Sequence, residues 1–212
     1  MSSKTVAQRE RAALADLFDA VGPDQPTLDE GWLTADLLHH LIVRERRPDT
    51  SLARAIGPLN FWADRVIAGY AKLPWSARVE LFRSGPQRFS PFRIEAVDNA
   101  FNAGEFFIHH EDVRRGRPGW TPRELDAETT AVLTKMVRSR FVTLSLKRLN
   151  VGIRAQLPDG TQFELVPGDP GITIVGAVGE LTLWTSGRRT ACDVEVLGGP
   201  QAIKTIEEAG QR

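Results

Sequence analysis

"IEAVDNAFNAGEFFIHHEDVRR", residues 94–115, is the stretch on which the fold turns. It lies between "SGPQRFSPF" and "GRPGWTP", two segments whose Gly, Pro and Ser content marks them as loops. The run between them therefore reads as one long helix. On a helical wheel at about 100° per residue with Glu105 at zero, His109 falls near +40°, Asn102 near +60°, Asp98 near +20° and Asp112 near −20°. These five polar side chains share one narrow stripe. Val97, Phe101 and Ile108 border it on one side, Phe106 and Val113 on the other. A solvent-facing stripe would adjoin other polar positions, whereas this one reads as a polar seam turned toward the interior of a helical bundle.

Carboxylates and imidazoles inside a bundle are costly unless paired or bound to a cation. Glu105 and His109 are at i and i+4, so their side chains meet on one face and can chelate one metal ion. His110, near +140° on the same wheel, points off that face. The chain's four histidines form two doublets, and the other lies in "DLLHHL", residues 36–41. There Leu33, Leu37, Leu38 and Leu41 define the apolar face; His40 sits at its margin and His39 points away. His40 is thus the histidine able to reach a second helix. Two histidines and one carboxylate leave coordination positions open, as in catalytic rather than structural sites. Periodicity alone leaves a second possibility: core histidines with satisfied ring nitrogens, and Glu105 paired with an arginine.

The rest of the chain fits around this helix. Helices are predicted over 4–21, from 32 or 34 to 46, over 59–71, briefly after Pro74 with Ser76 as cap, and over 126–147. Four long helices with modest loops pack most simply as an antiparallel bundle. Past residue 150 the apolar residues alternate: Val151, Ile153, Ala155 and Leu157, a "PDG" turn, Phe163 and Leu165, Ile172 and Ile174, Leu181 and Leu183, Val194 and Val196. A final helix over 200–209 closes a small α+β unit. The expected domains are 1–149 and 150–212.

Composition narrows the function. The 212 residues carry 27 basic and 27 acidic side chains, so a general nucleic-acid-binding face is not expected. No stretch has the length and apolarity of a membrane span or of a secretory leader, and the expected location is cytoplasmic. The single cysteine, Cys192, rules out an internal disulfide and sits in an alternating run as a small core residue.

Taken together, "EGW…DLLHHL" at 30–41, "ERRPD" at 45–49 and "EFFIHHEDVRRG" at 105–116 resemble the mycothiol-dependent maleylpyruvate isomerase family, part of the DinB-like group of metal-binding four-helix proteins, and within it a branch of actinobacterial metal-binding proteins. The family's tryptophan, aspartate and histidine at four-residue spacing match Trp32, Asp36 and His40, and its glutamate and histidine match Glu105 and His109. "GAVGELTLWTSGR", residues 176–188, is similar to the signature of the small sterol-carrier-protein-like α+β domain that follows the bundle in that family. Where the family often has a threonine cap after the tryptophan, this chain has Leu33, and Thr34 is expected to take over.

The resemblance implies that His40, Glu105 and His109 hold a divalent metal, zinc foremost with nickel or iron as alternatives, and that mycothiol is a cosubstrate. The implied partners are a small-molecule thiol and an electrophilic substrate, acted on by a monomer or homodimer through thiol transfer or isomerisation. Asp36, Asp98 and Asp112 are candidates to orient the ligands or to act as base. Arg46, Arg47, Arg114 and Arg115 are candidates to hold carboxylates of the thiol or substrate. Two rival readings are metal-dependent hydrolysis and a non-catalytic metal-binding or apolar-ligand carrier.

Overall fold

A computed structural model of the chain describes residues 4–47, 65, 68–88, 90–168 and 171–210. It divides into two compact units, Met1–Trp120 and Thr121–Arg212. The first is helical, with α1 (Val6–Val21), α2 (Thr34–Arg46), α3 (Trp75–Arg83) and α4 (Glu95–Arg115). Of the helix expected over 59–71, residues 65 and 68–71 are described and are helical; the remainder lies outside the described residues.

Local chemistry sets the ends of these helices. Thr5 caps α1, its hydroxyl accepting from Gln8 N–H while the Gln8 side chain accepts from Thr5 N–H. Helix α2 begins at Thr34 with Leu33 as its cap residue, and the Asp36 carboxylate accepts from Leu33 N–H at 3.0 Å. Thr34 does not take over the cap: its hydroxyl donates to Gly22 O and accepts from Gln25 N–H, tying the helix start to the preceding loop. Helix α3 starts at Trp75 behind Pro74, so Ser76 is not its cap. Apolar faces of α1, α2, α3 and α4 bury Leu14, Phe18, Leu37, Leu41, Phe82 and Phe106, and Phe82 meets Phe18 and Phe106 edge-on at 6.2 and 5.5 Å.

In the second unit a four-stranded sheet has the order β2-β1-β3-β4, with β1 (Gly152–Gln156), β2 (Gln162–Val166), β3 (Gly171–Val175) and β4 (Glu195–Gly198). β1 and β2 form a hairpin around the expected turn, where Asp159 accepts from Thr161 N–H. β1 and β3 run parallel, and β4 is antiparallel to β3. Ile153, Ala155, Leu165, Ile172 and Ile174 join Val137, Leu146, Trp184 and Ile206 in one core.

Two expectations are corrected here. The helix expected over 126–147 is two helices, α5 (Ala127–Val137) and α6 (Arg140–Leu146), because Ser139 restarts the chain by accepting from Val142 N–H. Both lie within the unit Thr121–Arg212, where α5 packs on the helix over 178–185 and α6 on β2. Leu181 and Leu183 are not in a strand. They belong to α7 (Val178–Thr185), every residue of which is buried, and an element buried all round shows no amphipathic period to separate helix from strand. The last helix, α8 (Pro200–Gly210), is where it was expected.

Candidate metal centre

The polar seam of α4 is buried. Asp98, Asn102, His109 and Asp112 are all closed from solvent, and Glu105 is half-buried at the point where the seam opens. Phe101, expected to border the seam inside the bundle, is instead 64% exposed.

His109 is the centre of the arrangement. Its Nδ1 lies 2.9 Å from Asp112 Oδ2, one turn further along α4. A carboxylate accepts only, so this contact places a proton on Nδ1, and in the neutral ring Nε2 carries the lone pair. Nε2 faces Glu105 Oε2 at 3.8 Å. From α2 the His40 ring stands edge-on to the His109 ring, with centroids 5.6 Å apart. The Trp32 ring lies tilted against His40, with centroids 5.4 Å apart. Burial, with His109 and the Arg44 guanidinium nearby, holds the His40 imidazole below its ordinary pKa and so favours the neutral, ligand-competent form.

Of the expected ligands, Glu105 and His109 stand near the spacing that a divalent ion needs. With metal–ligand bonds of about 2.0 Å, neighbouring ligand atoms around a tetrahedral ion are roughly 3.3 Å apart. The separation of Nε2 and Oε2, 3.8 Å, exceeds that by about 0.5 Å. Among the described residues, the three metal-capable side chains whose ligand atoms all lie within 4.8 Å of one another are Asp29, His109 and Asp112, a set that shares only His109 with the expected ligands. Asp29 reaches His109 Nδ1 at 3.8 Å, outside hydrogen-bond range, while Asp112 is within it. Asp29 and Asp112 thus face the Nδ1 side of His109, and Glu105 faces Nε2.

A short loop brings the other parts. Thr27 N–H donates to Trp32 O, Trp32 N–H to Asp29 O, and Pro26 bridges to Leu33, folding the loop on itself. Leu28 N–H donates to Asp112 O, docking the loop on α4. One loop therefore delivers Trp32 to His40 and Asp29 to His109.

The remaining expected residues are engaged elsewhere. Asp98 accepts from Arg11 at 3.0 Å and from Asn102 at 2.7 Å. Arg11 is also paired with Glu45, whose carboxyl is pushed up by burial against the pull of Arg11. Asp36 serves the start of α2. Arg46 donates to Leu81 O, Ser84 Oγ and Gly85 O, which makes it a brace between α2 and α3. Arg114 and Arg115 both bind the buried Glu111, and Arg115 stacks over Trp120 at 4.2 Å. Arg47 ends α2. His110 and Glu111 do point off the seam, yet both are buried: His110 Nδ1 meets Glu10 of α1 at 2.9 Å. His39 faces the Arg78 side and its pKa is lowered by burial and by that cation.

The arginine at the site is Arg44, one turn beyond His40. Its Nε lies 3.5 Å from Glu105 Oε2, and its terminal nitrogens donate to Asn102 Oδ1 and Phe101 O. The i, i+4 spacing of His40 and Arg44 was a legible signal for it. Asp29 had none, since loop residues carry no period.

No family model matches the chain, and no curated protein matches it. Two solved structures are similar. The crystal structure of the mycothiol-dependent maleylpyruvate isomerase aligns with a TM-score of 0.59 and 14% identity, covering 92% of this chain and 93% of that one. A point mutant of the same enzyme aligns with a TM-score of 0.59 and 13% identity over the same shares. At that identity the likeness establishes a shared fold: mixed, mostly helical, with a small sheet.

Proposed function

We propose that the protein is a divalent-metal-dependent enzyme acting with a small thiol, as a transferase or isomerase, and that His40, Glu105 and His109 hold the metal. On this reading the helical unit is a DinB-like bundle and the sheet unit a sterol-carrier-protein-like domain. The observation that carries it is the hydrogen bond from His109 Nδ1 to buried Asp112, which aims Nε2 at Glu105 with His40 alongside. A bound divalent ion would supply a Lewis acid able to lower the pKa of a thiol or polarise a substrate oxygen. Zinc suits two imidazoles and one carboxylate; nickel and iron remain within the chemistry of that set. Mycothiol as the thiol rests on the similarity to an enzyme named for it.

The chain's own residues have separable tasks. Asp112 keeps the proton on His109 Nδ1, and Trp32 restricts the His40 ring. Glu105 contributes an anionic oxygen at the mouth of the seam, where solvent and a small molecule can arrive. Hydrolysis is less well supported: Asp98 is held by Arg11 and Asn102, and Asp112 by His109, so neither is placed as a base for a metal-bound water. A carrier function would need an apolar cavity, whereas the cavity of about 480 Å³ beside α8 is lined by Lys147, Asn150, Gln201 and Thr205 along with apolar groups.

The test is metal analysis of purified wild-type protein against His40→Ala and Glu105→Ala, followed by a thiol-conjugation screen with and without mycothiol. Metal lost from both variants, and conjugation dependent on mycothiol, are expected. Wild-type metal content in both variants would remove the ligand assignment.

A further inference from the structure

Glu105 is shared. The same oxygen, Oε2, lies 3.8 Å from His109 Nε2 and 3.5 Å from Arg44 Nε. A metal held by His40, Glu105 and His109 and the Arg44 guanidinium therefore compete for one carboxylate oxygen. Arg44 is also fixed in place: Asn102 Oδ1 accepts from one terminal nitrogen at 2.5 Å and Phe101 O from the other at 3.3 Å. Asn102 is itself locked by its bond to Asp98 in the buried Arg11 cluster. The guanidinium cannot easily follow Glu105 when that side chain turns toward a metal. It would be left beside the new charge with its Nε–H lacking the carboxylate it faced.

We propose that Arg44 is the anion-binding residue of this centre, paired with Glu105 without metal and released by metal to hold a carboxylate on the incoming ligand. The proposal rests on the metal site described above. Guanidinium and carboxylate match bidentately, and the Arg44 side chain keeps 27% of its surface exposed beside Glu105. Thermodynamic linkage makes the coupling reciprocal: an anion on Arg44 raises metal affinity by the factor by which metal raises anion affinity. Ligands offering a thiol and a carboxylate together would gain most.

The experiment measures zinc affinity by competition titration on the full-length metal-free protein, with acetate as the probe anion. Wild type, Arg44→Gln, Arg44→Lys and His40→Ala are compared with and without acetate. Without acetate, Arg44→Gln is expected to bind zinc roughly fivefold more tightly than wild type, because a competitor and a like charge are gone. Acetate is expected to tighten zinc binding in wild type and to have no such effect in Arg44→Gln, with Arg44→Lys between the two. Equal zinc affinity in wild type and Arg44→Gln, or an acetate effect of the same size in both, overturns the proposal. His40→Ala with wild-type affinity overturns the ligand assignment and the Arg44 proposal with it, a separate failure read without touching Arg44.

Discussion

The carboxylate of Asp112 stands 2.9 Å from Nδ1 of His109, three residues away on the same helix and wholly buried. That contact sets which ring nitrogen faces Glu105. Asp112→Asn keeps the shape and removes the charge, so the tautomer and the basicity of His109 both lose their support. Zinc affinity is expected to fall about 10- to 100-fold, with the fold intact by circular dichroism. An isothermal titration giving wild-type affinity for Asp112→Asn would refute the assignment of Nε2 as the ligand atom.

Arg11 is buried between two carboxylates, Glu45 from α2 and Asp98 from α4, and its guanidinium also lies 4.9 Å from the Phe106 ring centroid. Removing the cation leaves two acids facing each other out of water. Arg11→Ala is expected to lower stability by about 3–5 kcal/mol in urea denaturation. Asp98→Asn in the same background is expected to recover part of that loss. A loss under about 1 kcal/mol for Arg11→Ala would mean that solvent reaches the cluster, contrary to its burial here.

The seam on α4 was legible because a helix of that length imposes its own period. Asp98, Asn102, Glu105, His109 and Asp112 were set on one stripe by spacing alone, and all line the interior or its opening. What each one binds was not legible. Asp98 is spent on Arg11, Arg46 on α3 carbonyls and Arg115 on Glu111, and these partners lie on other helices or on neighbouring faces that a wheel does not rank. The break at Ser139 was missed because an apolar helical pattern continues across it. The helical state of Leu181 and Leu183 was missed because α7 has no exposed face to give a period.

Gly116 ends α4 against the loop that carries Asp29 and Trp32. A Cβ there would lie 2.1 Å from Pro26 O and 3.0 Å from Thr27 Cα, and both are backbone atoms that cannot swing aside. Gly116→Ala must lift the loop, straining the bond from Leu28 N–H to Asp112 O. The expected results are roughly 1–3 kcal/mol of destabilisation and weaker zinc binding, although no proposed ligand is altered. Thermal melting and zinc titration check both. An unchanged melting temperature would show that the loop is not clamped at this point.

Acid should destabilise the metal-free protein in a window set by α2. Burial lowers the pKa of both His39 and His40, helped by Arg78 at the first and by His109 and Arg44 at the second. In the unfolded chain both titrate near about 6.5. Above that value both states are neutral and the stability contribution is complete. As pH falls through it, the unfolded chain takes up protons before the folded one, and stability drops until the folded-state values are passed. Urea midpoints measured in a metal-free buffer should therefore decline from pH 7.5 to pH 5.5, the window about 6.5. His40→Gln, which removes one of the two titrating groups, should flatten the decline, and His39→Gln should flatten it as well. A decline of wild-type steepness in both variants would place its origin in other groups.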